Sequence, residues 1–188
     1  MSRGALVLAL MLLVVGPLGA QSGREYFIQP DTAIDAVHTV QRDAFLELRD
    51  STSTISAAGA RLMSDLTPSS SLAWMRARAR AVAQACARSA SPLAAAKVVV
   101  ASSSWPMSYQ QEARTKLLSA IPLFATELVT CQKQFETLAV DTNQVQLRET
   151  APYRMSQIEG QLTQFNSTAN TYLQRIGITL PPSSATKP

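Results

Sequence analysis

The chain has 188 residues, a length suited to one domain, and its formal net charge is +4. Hydrophobic residues make up 46% and charged residues 16%, too apolar for a disordered chain and enough for a buried core. Aromatics at 6% and 7 Gly speak against a turn-rich all-β fold, and one His with 2 Cys leaves little for a metal site or for His-based catalysis.

Arg3 precedes an unbroken apolar run from Ala5 to Val15, which Gly16 and Pro17 end before the small residues Gly19 and Ala20. This is the layout of a secretory signal peptide cleaved after Ala20, although Leu18 fits the cleavage site only moderately. The competing reading, an uncleaved anchor, needs a run of about 20 apolar residues, and this one is shorter. No Cys follows it for lipid attachment, and no later stretch is apolar for long enough to span a bilayer. The expected organisation is a signal peptide at 1–20, an extended segment at 21–30, a helical domain at 31–177 and a disordered tail at 178–188. The expected location is extracellular, or periplasmic in a bacterium.

Segment one covers 31–66, with Asp31 or Thr32 as N-cap behind Pro30. Apolar or small residues recur at Ile34, Val37, Gln41, Ala44, Leu48, Ser51, Ile55, Ala58 and Leu62, alternating steps of three and four, so one helix face turns inward. The run Ser51-Thr52-Ser53-Thr54 and Gly59 are poor helix formers that packing must hold. A turn at Thr67-Pro68-Ser69-Ser70-Ser71 leads into segment two, whose inward row is Leu72, Met75, Ala79, Val82, Cys86, Ser89, Leu93, Ala96 and Val100. Pro92 is expected to kink or restart it, because Pro removes a helix hydrogen bond and crowds the preceding turn.

The second turn lies at Ser102-Ser103-Ser104-Trp105-Pro106. Segment three then runs from 108 to near 147 with the row Leu117, Ile121, Phe124, Leu128, Cys131, Phe135 and Leu138, and Pro122 beside it. Thr150-Ala151-Pro152 is read as the third turn, with a kinked continuous helix as the alternative. Segment four places Met155, Ile158, Leu162, Phe165, Ala169, Tyr172 and Ile176 on one face, and Gly177 ends it. Four long helices with short connections imply an all-α, antiparallel up-down-up-down bundle roughly 40 to 50 Å long.

In an oxidising compartment Cys86 and Cys131 are expected to form a structural disulfide, since both fall in inward rows and no CxxC redox motif is present. Two separate buried thiols are the alternative. Register raises one objection: a turn centred on Pro106 puts Cys86 level with a residue about five positions before Cys131, or about 7 Å along the helix.

Charge is uneven. The 31–66 stretch carries Asp31, Asp35, Asp43, Glu47, Asp50 and Asp65 against Arg42, Arg49 and Arg61, whereas 71–101 holds Arg76, Arg78, Arg80, Arg88 and Lys97 with no acid. Opposite signs on neighbouring helices set their pairing; the alternative is a docking surface for an acidic partner. Trp74 lies about 120° off the inward row, one turn from Arg78, while Arg76 and Arg80 share another side. Trp74, Arg76, Arg78 and Arg80 are therefore the candidate partner-binding residues. Trp105 is a second candidate, or else caps the end of the bundle.

Motifs for nucleophilic catalysis, zinc binding and phosphate binding are absent, so no catalytic, cofactor-binding or metal-binding residue is expected, and the single His38 reads as structural or surface. Asn166-Ser167-Thr168 is an N-glycosylation sequon that matters in a eukaryotic source. The expected function is that of a secreted non-enzymatic protein binding a protein, glycan or anionic surface through a bundle face. Nucleic acid is the weakest partner, for want of a binding motif. The alternative is a carrier holding a lipid or other small apolar ligand between amphipathic helices. An enzyme with an unrecognised site stands third.

Overall fold

The computed structural model describes residues 32–181. The signal segment, the stretch 21–30, Asp31 and the tail beyond Pro181 lie outside the described residues. Four long helices form the fold: α1 (Thr32–Asp65), α2 (Leu72–Ser102), α3 (Ser108–Val140) and α4 (Gln144–Arg175), with no strand among the described residues. The architecture is an all-α four-helix bundle.

Its core is built from the rows that the three–four spacing marks. Every row residue of segments three and four is buried, and in α2 only Leu72 is half-exposed. Pro92 and Pro122 interrupt neither helix. Ser71 starts α2 by accepting the Trp74 N–H on its hydroxyl at 3.2 Å. At the end of α4 the N–H of Gly177 bonds the Gln174 carbonyl (3.1 Å) and that of Ile178 the Leu173 carbonyl (2.8 Å). That pairing is a Schellman stop, and it needs the left-handed backbone that Gly177 adopts at φ 81°. Ile178 is buried and Leu180 packs on the core, so the ordered chain runs past 177, where the tail was expected to begin.

Two expectations change. The third turn lies at residues 141–143, not at 150–152, and Pro152 sits inside α4. Asp141 and Asn143 make the turn locally: Asp141 Oδ1 accepts the Asn143 N–H at 2.8 Å, and Asn143 Oδ1 caps the N–H groups of Val145 (3.0 Å) and Gln146 (3.2 Å). In α1 the expected row holds at Gln41, Leu48, Ile55 and Leu62, all buried, but Phe45 and Thr52 join it in the core and Val37 is 39% exposed. The small residues of the expected row face α2 instead, where Ser51 Oγ lies 3.0 Å from Ser89 Oγ. Small side chains there let the two helices approach closely. On the other flank Gly59 lies under Met155, and a Cβ at Gly59 would stand 2.1 Å from Met155 Cε.

Contacts along the α1/α2 and α2/α3 pairs run in opposite numerical order. Asp65, Ser51 and Gln41 of α1 reach Arg78, Ser89 and Val99 of α2. Arg76, Cys86 and Val100 of α2 meet Ala139, Cys131 and Arg114 of α3. The Cys86–Cys131 disulfide joins Cα atoms 6.2 Å apart and is therefore in register with the hydrogen bonds on either side of it. The register objection dissolves because α3 starts at Ser108, beyond Pro106, and Arg114 already lies level with the end of α2.

Side chains also finish neighbouring helices. Arg114 donates to the Val100 (2.9 Å) and Ala101 (2.6 Å) carbonyls in the last turn of α2, Arg76 to Ala139 (2.8 Å) in the last turn of α3, and Gln110 to Arg175 (3.2 Å) at the end of α4. Each satisfies carbonyls that the helix itself leaves free, and the two arginines also place positive charge at the negative end of the helix dipole. At the end where Arg76 meets Ala139, Gln144 and Arg148 of α4 also hold the Ser70 and Pro68 carbonyls of the first turn.

Candidate functional site

Three features stand out: a buried polar cluster, the outer face between α1 and α2, and a cleft between α1 and α4. Among the described residues no group of three or more His, Cys, Asp or Glu could hold a metal ion.

The cluster closes one end of the bundle. Trp105, 7% exposed, donates its Nε1–H to the Tyr172 hydroxyl at 3.2 Å and stacks on His38 with ring centroids 5.6 Å apart. Ser103 Oγ lies 3.4 Å from the same hydroxyl. Trp105 and His38 are thus parts of the end cap. Burial pushes the Tyr172 hydroxyl above its ordinary pKa of 10.0, against hydrogen bonds from Ser103, Trp105 and Gln41 that pull it down. With a folded pKa above the unfolded one, the contribution to stability is complete below pH 10.0 and is lost as pH rises through the folded value. The thermal midpoint should therefore fall more steeply above that pH in the parent than in Tyr172→Phe. Parallel slopes in a pH series of melts would show that Tyr172 titrates normally.

On the α1/α2 face, Trp74 is 49% exposed and Arg78 lies over its ring, 4.4 Å from the centroid. The Arg78 Nε also donates to Asp65 Oδ2 at 2.6 Å, so the guanidinium is held from both sides. This is the only ion pair between α1 and α2 among the described residues; Arg42–Asp43 and Arg49–Asp50 are pairs of chain neighbours. Arg76 is half-buried and committed to the end of α3. Arg80 is exposed, with no ion pair among the described residues. Of the four candidate residues, Trp74 and Arg78 thus form one unit, Arg80 is free, and Arg76 belongs to the fold.

The cleft arises because α1 packs closely on α2 but touches α4 at few points. Its inner part, about 140 Å³, lies over Phe45, Leu48, Phe165 and Leu173 and is covered by Leu180. A wider part of about 360 Å³ continues past Arg49 and Asn166 toward Ser56 and Leu162. Asn166 of the sequon is exposed at this junction. Arg49, 23% exposed, bonds Asp50 Oδ1 through Nε (3.3 Å) and Nη2 (3.2 Å), and through Nη1 the carbonyl of Pro181.

Sequence reasoning singled out neither Arg49 nor the cleft. Arg49 sits in an acidic run, and α1 and α4 are the helices farthest apart in the chain. The arginine caps do carry a signal: Arg76 and Arg114 each lie in the second turn of their own helix and reach the last turn of a neighbour. No protein-family model, curated protein or solved structure matches the chain.

Proposed function

We propose that the chain is an exported, non-enzymatic helical protein that binds a partner through the outer α1/α2 face centred on Trp74, Arg78 and Arg80. The leader pattern at 1–20 and the Cys86–Cys131 disulfide support export into an oxidising compartment. The opposed order of contacts supports an up-down-up-down antiparallel arrangement. The observation that carries the binding reading is the clamped Trp74: a large exposed aromatic, held by a guanidinium that is itself tied to Asp65. A preformed aromatic anchor loses little side-chain freedom on association, and Trp with Arg is the composition of an interface hot spot. The free positive charge of Arg80 and the acid-free α2 favour an acidic partner surface, on a protein, a glycan or a membrane. In a eukaryotic source Asn166, on the α4 side, is the expected glycan position.

The variants that test this are Trp74→Ala and Arg80→Glu. Both should melt near the parent temperature, since neither residue fills the core. Both should weaken capture on heparin, on vesicles containing phosphatidylglycerol or on the protein's own secreted partner by roughly tenfold. Equal retention of parent and variants on every one of these surfaces would remove the α1/α2 face as the binding site.

The α1/α4 cleft favours a second reading, the carrier of a small apolar ligand. Its floor of Phe45, Leu48, Phe165 and Leu173 is apolar and buried beneath a cavity that Leu180 helps to line, so an apolar ligand would find a ready surface there.

A further inference from the structure

We propose that the α1/α4 cleft takes a single-chain fatty-acid-type carboxylate, with its alkyl chain on Phe45, Leu48, Phe165 and Leu173 and its carboxylate on Arg49. There it takes the place that Leu180 and the Pro181 carbonyl hold in this structure. The inference rests on the carrier reading and adds the ligand's headgroup, its orientation and what it displaces.

The lining fits such a molecule from both ends. The inner part has a hydrocarbon floor, with Asn166, Asn170 and Arg49 at its rim, and is narrow, suited to one alkyl chain. From Asn166, level with Arg49, to Leu173 the inner part follows α4 for roughly 10 Å at the helical rise, room for most of a medium-length chain. At the junction of the two parts stands one guanidinium, Arg49, three-quarters withdrawn from solvent. Two of its nitrogens bind Asp50, but among the described residues Nη1 bonds only a neutral main-chain carbonyl, that of Pro181. A carboxylate on the same N–H forms a charge-assisted bond, stronger than the neutral one it replaces. Asp50 lowers the net positive charge of the mouth without occupying Nη1, which accounts for one anionic group and not two.

Leu180 shows that the cleft already accepts an aliphatic side chain, delivered by the segment that follows the Gly177 stop. Among the described residues beyond the buried Ile178, that segment is held by the packing of Leu180 and by the Arg49 bond. It therefore competes with the ligand for the same floor and the same donor. Releasing it raises the fraction of molecules with an open site and so the apparent affinity.

The test is displacement of the fluorescent probe 11-(dansylamino)undecanoate by laurate and by dodecanol, on the parent, Arg49→Gln and Leu180→Ser. In the parent, laurate should displace the probe about tenfold better than dodecanol, the worth of one hydrogen bond to a charged group. Arg49→Gln should abolish that preference and leave dodecanol unchanged. Leu180→Ser should bind laurate several-fold more tightly. If laurate and dodecanol compete equally in the parent, the carboxylate assignment fails while the carrier reading stands. If neither displaces the probe, both fail. Weaker laurate binding in Leu180→Ser would overturn the displacement of the C-terminal segment.

Discussion

Reduction of the Cys86–Cys131 disulfide is expected to destabilise the fold by about 4 kcal/mol, the loop-closure entropy regained by the unfolded chain when a bridge across 45 residues opens. For a domain of this size that corresponds to a fall of roughly 10 °C in the melting midpoint. The effect should exceed that of any single exposed substitution, because the bridge joins the middle of α2 to the second half of α3 and both cysteines are buried in the core. Most of it should act through the unfolded state. Urea unfolding with and without dithiothreitol measures it, and the Cys86→Ala, Cys131→Ala double variant repeats it without reductant. Coincident midpoints would mean that the bridge adds nothing to a bundle already held by its rows.

Trp105→Ala is expected to cost about 3 to 5 kcal/mol, the range for removing a large buried aromatic. The indole fills the end of the bundle between His38 and Tyr172, and its N–H is the nearest donor to the Tyr172 hydroxyl. Removing it leaves both a cavity and a weakened polar cluster. Trp105→Phe should cost much less, about 1 kcal/mol, since it keeps most of the ring and loses one hydrogen bond. Trp74→Ala, at an exposed position, should move stability by well under 1 kcal/mol. The contrast separates the two tryptophans: one supports the fold, the other faces outward. Urea denaturation of the three variants checks it, and equal costs at 74 and 105 would contradict the assignment.

These effects also show which parts of the molecule are legible in the sequence. The inward rows of α2, α3 and α4 can be read residue by residue, because a helix buried on one face repeats its apolar positions at every three or four steps. Placing Cys86 and Cys131 in those rows leads to their bridge. The break between α3 and α4 is harder to read. Asp141 and Asn143 cap locally, but Pro152 offers a louder signal that the bundle tolerates inside a helix. In α1 the spacing marks Gln41, Leu48, Ile55 and Leu62, which are buried, but it places small residues such as Ser51 on the same face. Only the closeness of α2 decides that Ser51 faces Ser89 while Phe45 and Thr52 turn to the core. Arg76 reads as part of a basic patch, yet it caps α3, because a cation early in one helix stands beside the end of its neighbour.

The cleft lies beyond such reasoning for a different reason. Phe45, Leu48, Phe165 and Leu173 read as ordinary core positions, and Leu180 with the prolines after it reads as a tail. That α1 leans on α2 and leaves a gap toward α4 follows from the match of small residues along one seam, while Gly59 lets Met155 of α4 come close at one point. Neither feature has a periodic signature. Asn166 illustrates the same limit: its sequon is plain in the sequence, its place at the mouth of the cleft is not.

Export of a bridged chain is the premise on which the proposed binding role depends, and native mass spectrometry of protein secreted by cells expressing all 188 residues tests it directly. The expected spectrum is that of a chain beginning at Gln21 and lighter by two hydrogens for the Cys86–Cys131 bridge, with any retained partner, glycan or amphiphile visible as added mass. A chain that stays inside the cell with its leader intact and both thiols free would contradict export, and with it the proposed extracellular binding role.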